Sequence, residues 1–195
     1  MGRIYCIMGR SASGKDTVYK ELRKRLPGLR SYVMYSTRPM RDGEKDGAAY
    51  HFVTEEELSR FEREGKLIEK RVYMTVQGPW SYATVDDGQI DPELGDYLML
   101  ATPEAFIKLK AYFGEDRLRD LFIEIPDGER LLRAVNREMH EKRPDYAEVC
   151  RRFLADREDF SEEKLRAAGI SRHYLNEDLE SCVSEIIRDM EHDRI

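Results

Sequence analysis

The chain has 195 residues, of which 41% are hydrophobic and 37% are charged, and its formal net charge at pH 7 is −6. This composition allows one packed domain, and the acidic charge argues against a general affinity for nucleic acid. Apolar runs stay far below the roughly 20 residues of a membrane-spanning helix, and the N-terminus lacks a signal-peptide pattern, so we expect a soluble, cytoplasmic protein.

The first predicted elements are a buried strand at residues 3–8 and an amphipathic helix at 15–26, joined by a turn rich in glycine and serine. Within this turn, Gly9, Gly14 and Lys15 fit the pattern G-x-x-x-x-G-K of a phosphate-binding loop. A strand before the loop and a helix after it are the context that this pattern requires. The next position departs from the pattern, because Asp16 stands where serine or threonine is usual and Thr17 follows one place later.

In a loop of this kind, the backbone N–H groups of residues 10–15 surround the β-phosphate of a nucleotide, and the lysine reaches the β- and γ-phosphates. Asp16 leaves two interpretations open: it binds Mg²⁺, directly or through water, or it is a favourable acid in the first helical turn. The predicted ATP-binding residues of the loop are Gly9, Arg10, Ser11, Ala12, Ser13, Gly14, Lys15, Asp16 and Thr17. The predicted metal ligands are Asp16 and Thr17.

The segment from residue 32 to 84 is rich in aromatic and β-branched residues, and its predicted strands are short. These strands cover 31–37, 48–53, 66–74 and 80–85. The predicted helix at 54–65 begins with a capping box of Thr54 and Glu57 and ends at Gly65. The pattern indicates a small mixed α/β lobe inserted into the main fold.

Continuous apolar strands, typical of a buried parallel sheet, are predicted at 96–102 and 116–125, with a helix at 103–114 between them. Residues 128–168 are mostly helical, and one more strand and a closing helix follow. Strands that alternate with helices predict a three-layer α/β fold with a parallel core sheet.

A second group of candidate binding residues lies in the inserted lobe. Arg38 and Arg41 are three residues apart beside a proline, and Tyr50 follows soon after. Two guanidinium groups and a phenol that converge would suit a phosphate dianion.

The stretch 37–52 reads T-R-P-x-R-x-G-E-x-D-G-x-x-Y-x-F, and at this distance after a phosphate loop it resembles the guanylate kinase family. The resemblance is dense across 36–53, continues at Glu69 and returns at Arg133, Arg137, Arg152 and LNEDL (175–179). It implies a P-loop kinase fold with a core (1–31, 90–128 and 153–195), an acceptor-binding lobe (32–89) and a helical lid (129–152). It also implies transfer of the γ-phosphate of ATP to GMP or dGMP with Mg²⁺, and leaves the oligomeric state open.

The same resemblance implies a role for each matching residue. Glu69 would accept hydrogen bonds from N1–H and the 2-amino group of guanine, and Asn176 and Asp178 would lie near the adenine of ATP. The lid arginines would bridge the donor and acceptor phosphates. The implied catalytic residues are Lys15, Arg38, Arg133, Arg137 and Arg152. The implied acceptor-binding residues are Arg38, Arg41, Tyr50, Glu69, Tyr82 and Thr84.

The chain departs from the family in the pocket for the base. Met34 stands where the family has a serine that helps to read guanine, and Leu100 and Thr102 replace two aspartates. The segment before Tyr82 and the lid are also longer than in the family. These differences predict that the residues for phosphoryl transfer are kept, whereas the pocket for the base is altered. We therefore expect the protein to use GMP less exclusively than an ordinary guanylate kinase does.

Two alternatives remain at this stage. The chain could share the fold but phosphorylate another small acceptor such as ribose bisphosphate, since kinases of that kind also carry G-K-D in the loop. It could also be a binding module without catalysis. The intact Gly14 and Lys15 argue against the second alternative.

Overall fold

Two β-sheets and seven α-helices make up the computed structural model, which describes residues 2–40, 43–75 and 77–193. In chain order the strands are β1 (Ile4–Met8), β2 (Arg30–Ser31), β3 (Met34–Ser36), β4 (Tyr50–Phe52), β5 (Leu67–Thr75), β6 (Gly78–Val85), β7 (Tyr97–Leu100), β8 (Leu118–Glu124) and β9 (His173–Leu175). The helices are α1 (Lys15–Arg25), α2 (Glu55–Arg63), α3 (Pro103–Phe113), α4 (Asp127–Glu138), α5 (Tyr146–Asp159), α6 (Glu162–Ala167) and α7 (Leu179–His192).

The core sheet has the strand order β2-β7-β1-β8-β9, and every adjacent pair is parallel. All five residues of β1 are buried, because the strand lies in the middle of the sheet and both faces are covered. Cys6 of β1 packs with Phe106 of α3 on one face, whereas Ile7 packs with Val18 of α1 and Ile186 of α7 on the other. The predicted three-layer fold with a parallel core sheet is therefore confirmed.

The second sheet has the strand order β4-β3-β6-β5 and is antiparallel except for the parallel pair β3 and β4. Helix α2 covers one face through Leu58, which packs against Tyr35 and Val85. The predicted capping box at the start of this helix is confirmed, since Thr54 and Glu57 exchange hydrogen bonds. The other face of the sheet carries Tyr50, a residue of the candidate site described below.

The single strand predicted at 31–37 is wrong, because the structure divides it between the two sheets. β2 pairs with β7 in the core sheet, and β3 pairs with β4 and β6 in the second sheet. Between them, the side chain of Gln89 donates to the carbonyl oxygen of Val33 at 3.1 Å and accepts from its N–H at 2.8 Å. These side-chain bonds satisfy backbone groups that a continuous ladder would otherwise pair.

The charged segment after β8 is helical, as predicted. It forms α4, α5 and α6, and α4 packs against α5. In the described part of the chain, no helix combines the length and the apolar character needed to span a bilayer.

Candidate active site

The phosphate loop connects the carboxyl end of β1 with the N-terminus of α1, as predicted. Gly14 precedes the first helical turn with φ of 87° and ψ of 7°, in the left-handed region that favours glycine. A Cβ atom at this position would lie 2.2 Å from Nδ2 of Asn176. The loop therefore requires glycine both for its backbone conformation and for this close approach.

Several polar groups of the loop have no partner within the described residues. The buried Oγ of Ser13 and Nε of Arg10 form no hydrogen bond, and Lys15 forms neither a hydrogen bond nor an ion pair. Helix α1 also begins without a side-chain cap. An uncapped helix start presents free N–H groups and a positive partial charge, which favour a bound anion. The loop is thus suited to phosphate.

Asn176 lies beneath the loop. Its backbone N–H donates to the carbonyl oxygen of Glu124 at 2.8 Å, and its Nδ2 donates to that of Ser13, also at 2.8 Å. Asp178 is engaged at the start of α7, where Oδ1 accepts from the N–H of Ser181. Both side chains therefore make protein contacts, and their proximity to adenine stays a prediction.

A buried ion pair that the sequence analysis missed holds the loop to α4 and α5. Asp156 of α5 accepts a hydrogen bond from the N–H of Ser11 at 2.8 Å and from Nη1 of Arg130 on α4 at 2.7 Å. Arg130 is 2% exposed, and its guanidinium lies 4.3 Å from the ring centroid of Phe153. No local pattern marks this pair, because its members lie 26 residues apart among many other charged residues.

The side chains predicted to bind the phosphate of the acceptor lie at the edge of the second sheet. Arg38 is 5% exposed, and its guanidinium lies 5.1 Å from the ring centroids of both Tyr50 and Phe52. Glu44 accepts two hydrogen bonds from Arg38, at 2.6 and 2.8 Å. An acceptor phosphate would compete with Glu44 for the same guanidinium. Arg41 lies outside the described residues, so its predicted role stays a prediction.

The surroundings of Tyr50 disfavour the ionised form of its phenol. Burial raises the pKa of Tyr50 to about 12, and the nearby phenol of Tyr82 and carboxylate of Asp16 contribute. The phenol therefore stays protonated at neutral pH and is able to donate a hydrogen bond to phosphate. The ring of Tyr82 packs between Tyr50 and Tyr73, with centroids 5.6 and 5.8 Å away.

Glu69 is fully buried and is already bound by protein groups. Its Oε1 accepts from the hydroxyl of Thr84 at 2.8 Å, and Arg71 donates to both carboxylate oxygens. Arg71 also donates to Oγ1 of Thr102, the residue that replaces one aspartate of the family. The sequence analysis missed Arg71, although alternation along a strand places it on the same face as Glu69.

Four of the six arginines in the predicted lid, Arg133, Arg137, Arg151 and Arg152, differ in their surroundings. Arg133 donates to the carbonyl oxygen of Asn176 at 3.2 Å, next to the loop, whereas Arg137 is exposed and pairs with no described residue. Arg151 and Arg152 both bind Glu148. The hydrogen bonds from Arg151 to Glu148 raise the pKa of Arg151. The sequence analysis chose only Arg152 of this pair.

We expect Glu148 to make stability depend on acidic pH. Its hydrogen bonds to Arg151 and then Arg152 lower the pKa of this carboxyl from 4.5 to about 2. A carboxyl whose pKa is lower in the folded state stabilises fully above its unfolded pKa, and the stabilisation is lost as pH falls through the folded pKa. Glu148→Gln should therefore lower the free energy of unfolding at pH 6, by an amount that shrinks from pH 4.5 towards 2.

Urea denaturation at stepwise pH measures this difference. Glu158→Gln, at an exposed position on the same helix, is the matched control and should show no such trend. A difference between Glu148→Gln and the unaltered protein that stays constant from pH 6 to pH 3 would contradict the expected linkage.

The predicted metal ligands lie at the start of α1. Asp16 and Thr17 are exposed in its first turn, and Asp16 is close enough to Tyr50 to raise the pKa of that phenol. The described residues contain no cluster of three or more His, Cys, Asp and Glu side chains able to hold a metal ion by themselves. One carboxylate next to a phosphate site nevertheless fits Mg²⁺, which proteins bind through few side chains together with nucleotide phosphates and water.

Comparison with known proteins identifies guanylate kinases as relatives. The family model described as guanylate kinase matches residues 1–86. A guanylate kinase of Chlorobaculum tepidum is 33% identical over 136 residues, which cover 69% of this chain and 67% of that protein. One of Chlorobium luteolum is 37% identical over 73 residues, and one of Thermobifida fusca is 45% identical over 67 residues.

These alignments differ in extent. They span 37% of the Chlorobium luteolum protein and 34% of the Thermobifida fusca protein, about a third of the length of each. The crystal structure of a guanylate kinase from Anaplasma phagocytophilum superimposes with a TM-score of 0.70, covering 100% of this chain and 87% of that one at 21% identity. At this identity, the superposition shows a shared fold.

Proposed function

Because the chain belongs to the guanylate kinase family, we propose that it is a nucleoside monophosphate kinase that transfers the γ-phosphoryl group of ATP to GMP or dGMP. The observation that supports the proposal is a phosphate loop with a lysine that is unpartnered among the described residues, in the same fold as a buried arginine that could bind a second phosphate. The loop carries Lys15, which pairs with no described residue, Arg38 is buried beside Tyr50, and the charge of Asp16 at the start of α1 acts on the pKa of Tyr50. A donor phosphate in the loop and an acceptor phosphate on Arg38 would therefore be neighbours.

Phosphoryl transfer requires mainly the positioning of the two substrates and the neutralisation of negative charge. The loop N–H groups and Lys15 would bind the β- and γ-phosphates of ATP. Arg38 would hold the acceptor phosphate as a charge partner, and the protonated Tyr50 would donate a hydrogen bond to it. The acceptor phosphate is an anionic nucleophile, so no side chain has to act as a general base.

Mg²⁺ would be held by Asp16 and Thr17 together with the phosphates. When bound, it would neutralise part of the charge on the γ-phosphoryl group. The arginines of α4 and α5 are candidates for this role, since Arg133 binds the carbonyl oxygen of Asn176 next to the loop and Arg151 and Arg152 both bind Glu148. They would supply the remaining positive charge.

Each of the three predicted parts of the chain would have one role in this reaction. The core (1–31, 90–128 and 153–195) would bind ATP, the lobe (32–89) would bind the acceptor, and the helices of the lid (129–152) would close over both. Closure would exclude water and suppress hydrolysis of ATP. The cytoplasmic location and the lack of affinity for nucleic acid stay predictions. The names of the relatives favour this kinase function over a ribose bisphosphate kinase or a binding module.

Arg38→Ala should weaken binding of the acceptor about ten- to a hundredfold and leave binding of ATP nearly unchanged, because a charge-assisted hydrogen bond contributes about 1.5–3 kcal/mol. Separate calorimetric titrations of GMP and ATP measure both affinities. Arg60→Ala is the matched control, since this arginine lies on α2 and its side chain is 58% exposed. An equal loss of affinity for both nucleotides would contradict the division into two phosphate sites.

The proposed function is tested by a coupled ADP-release assay with ATP and Mg²⁺. The acceptor panel holds GMP, dGMP, IMP, AMP, CMP, UMP and ribose bisphosphate. We expect turnover with GMP and dGMP. Turnover with ribose bisphosphate alone, or with no acceptor in the panel, would overturn the proposal.

A further inference from the structure

Arg71 occupies the middle of the residues that the resemblance assigns to the base. It lies two residues after Glu69 on β5, and it pairs in register with Tyr82 of β6. Its Nε and Nη2 donate to the two oxygens of Glu69 at 2.9 and 3.2 Å, and its Nη1 donates to Thr102 at 3.2 Å. Arg71 therefore connects the second sheet to the start of α3 through the predicted base pocket.

The carboxylate of Glu69 has little capacity left for a ligand. Its side chain is 0% exposed, and it accepts one hydrogen bond from Thr84 and two from Arg71. A carboxylate offers about four acceptor positions, so about one remains. Guanine would need two of them, one for N1–H and one for the 2-amino group. Glu69 therefore has too few free acceptor positions to select for a 2-amino group on the base.

Arg71, in contrast, keeps donors for a ligand. Of the five N–H groups of a guanidinium, three are used by Glu69 and Thr102, which leaves one on each Nη atom. Such a pair of donors matches O6 and N7 of a 6-oxopurine, the edge that arginine commonly binds. An adenine would oppose these donors with its own 6-amino group. Met34, at the position where the resemblance implies a serine that reads guanine, offers no competing hydrogen-bonding group.

Resting on the proposed kinase function, we propose that Arg71 is a specificity-determining residue that reads the 6-oxo group of the acceptor. The acceptor class is then the 6-oxopurine nucleoside monophosphates, with or without a 2-amino group, and adenine nucleotides are excluded. GMP and IMP are both acceptors under this assignment, because the oxygen at position 6 is bound and the amino group at position 2 is not required.

The test compares GMP, IMP and AMP by kcat/KM with ATP and by calorimetric Kd without ATP. We expect IMP to lie within about tenfold of GMP and AMP at least about a hundredfold below both. Arg71→Met should reduce the preference for GMP over AMP at least about tenfold, and should raise the preference for GMP over IMP because Glu69 is released.

Arg71→Met leaves a buried carboxylate without its partner, so two further variants keep the test valid if it fails to fold. Arg71→Lys keeps the charge but loses the planar pair of donors, and should also reduce the preference for GMP over AMP at least about tenfold. The double variant Glu69→Gln with Arg71→Met removes both charges. It should discriminate poorly between GMP and AMP.

Rejection of IMP by more than about a thousandfold in the unaltered protein would overturn the assignment of Arg71, as would unchanged GMP-to-AMP ratios in Arg71→Lys. These outcomes leave the kinase function intact, since GMP would still be phosphorylated. If no monophosphate is phosphorylated, the proposed function fails, and the calorimetric Kd ratios alone decide the role of Arg71. A lack of binding by all three nucleotides would overturn both proposals.

Discussion

Replacing Lys15 with alanine is expected to lower kcat for GMP at least about a hundredfold while the protein stays folded. The lysine ammonium would neutralise charge on the transferring phosphoryl group, and the loss of one such preorganised contact typically costs about 10²–10³ in kcat. Lys15 pairs with no described residue, so its removal breaks no contact within that part of the fold. The measurement is the initial rate of GMP-dependent ADP release at saturating ATP, together with a thermal unfolding curve.

Lys20→Ala is the matched control for this variant. Lys20 is an exposed lysine on the same helix, five positions after Lys15, and its removal should leave both kcat and the unfolding temperature nearly unchanged. A Lys15→Ala protein that keeps more than about a tenth of the activity would contradict the role of the loop in phosphoryl transfer.

Asp156→Ala is expected to give the largest loss of stability, about 3–5 kcal/mol in the free energy of unfolding. Removal of one member of a buried ion pair leaves the other charge without compensation, which is strongly destabilising. Here the remaining charge would be Arg130, which is 2% exposed and would keep Asp127, whose side chain is 49% exposed, as its ion-pair partner, and the N–H of Ser11 would lose its acceptor as well. Urea denaturation at pH 7 measures the loss.

Asp127→Ala provides the control, because Asp127 binds the same guanidinium from an exposed position. Its side chain is 49% exposed, and Arg130 donates to its Oδ1 at 2.9 Å. Exposed ion pairs contribute about 0–1 kcal/mol, so this variant should lose much less stability than Asp156→Ala. Equal losses in the two variants would contradict the assignment of Asp156 as the partner that compensates the buried charge.

The core of the fold could be predicted because the sequence patterns there are local. Continuous apolar strands and a glycine-rich turn before an amphipathic helix each indicate their structure within a few residues, and Thr54 with Glu57 marks the start of α2 in the same way. The prediction of a single strand at 31–37 was wrong. The composition of this segment is uniform, but its two halves pair with different sheets. That division depends on Gln89, which is distant in sequence.

The polar contacts of the site could be predicted only where a motif marks them. Lys15 and Arg38 belong to such motifs, and the structure has Lys15 in the first turn of α1 and Arg38 buried beside Tyr50. Arg71 belongs to none, and only strand alternation relates it to Glu69. The pair of Arg130 and Asp156 depends on how α4 packs against α5, and charged residues in a charged segment carry no signal of that packing.

The central claim is that this protein moves a phosphoryl group directly from ATP to GMP. The most direct measurement supplies ATP with a radiolabelled γ-phosphate, GMP and Mg²⁺, and follows the label by separating GDP from inorganic phosphate. The proposed function predicts that the label appears in GDP in step with ADP, that omission of GMP stops the reaction, and that Lys15→Ala abolishes it. Label that appears only in inorganic phosphate, or an absence of labelled GDP in the unaltered protein, would contradict the claim.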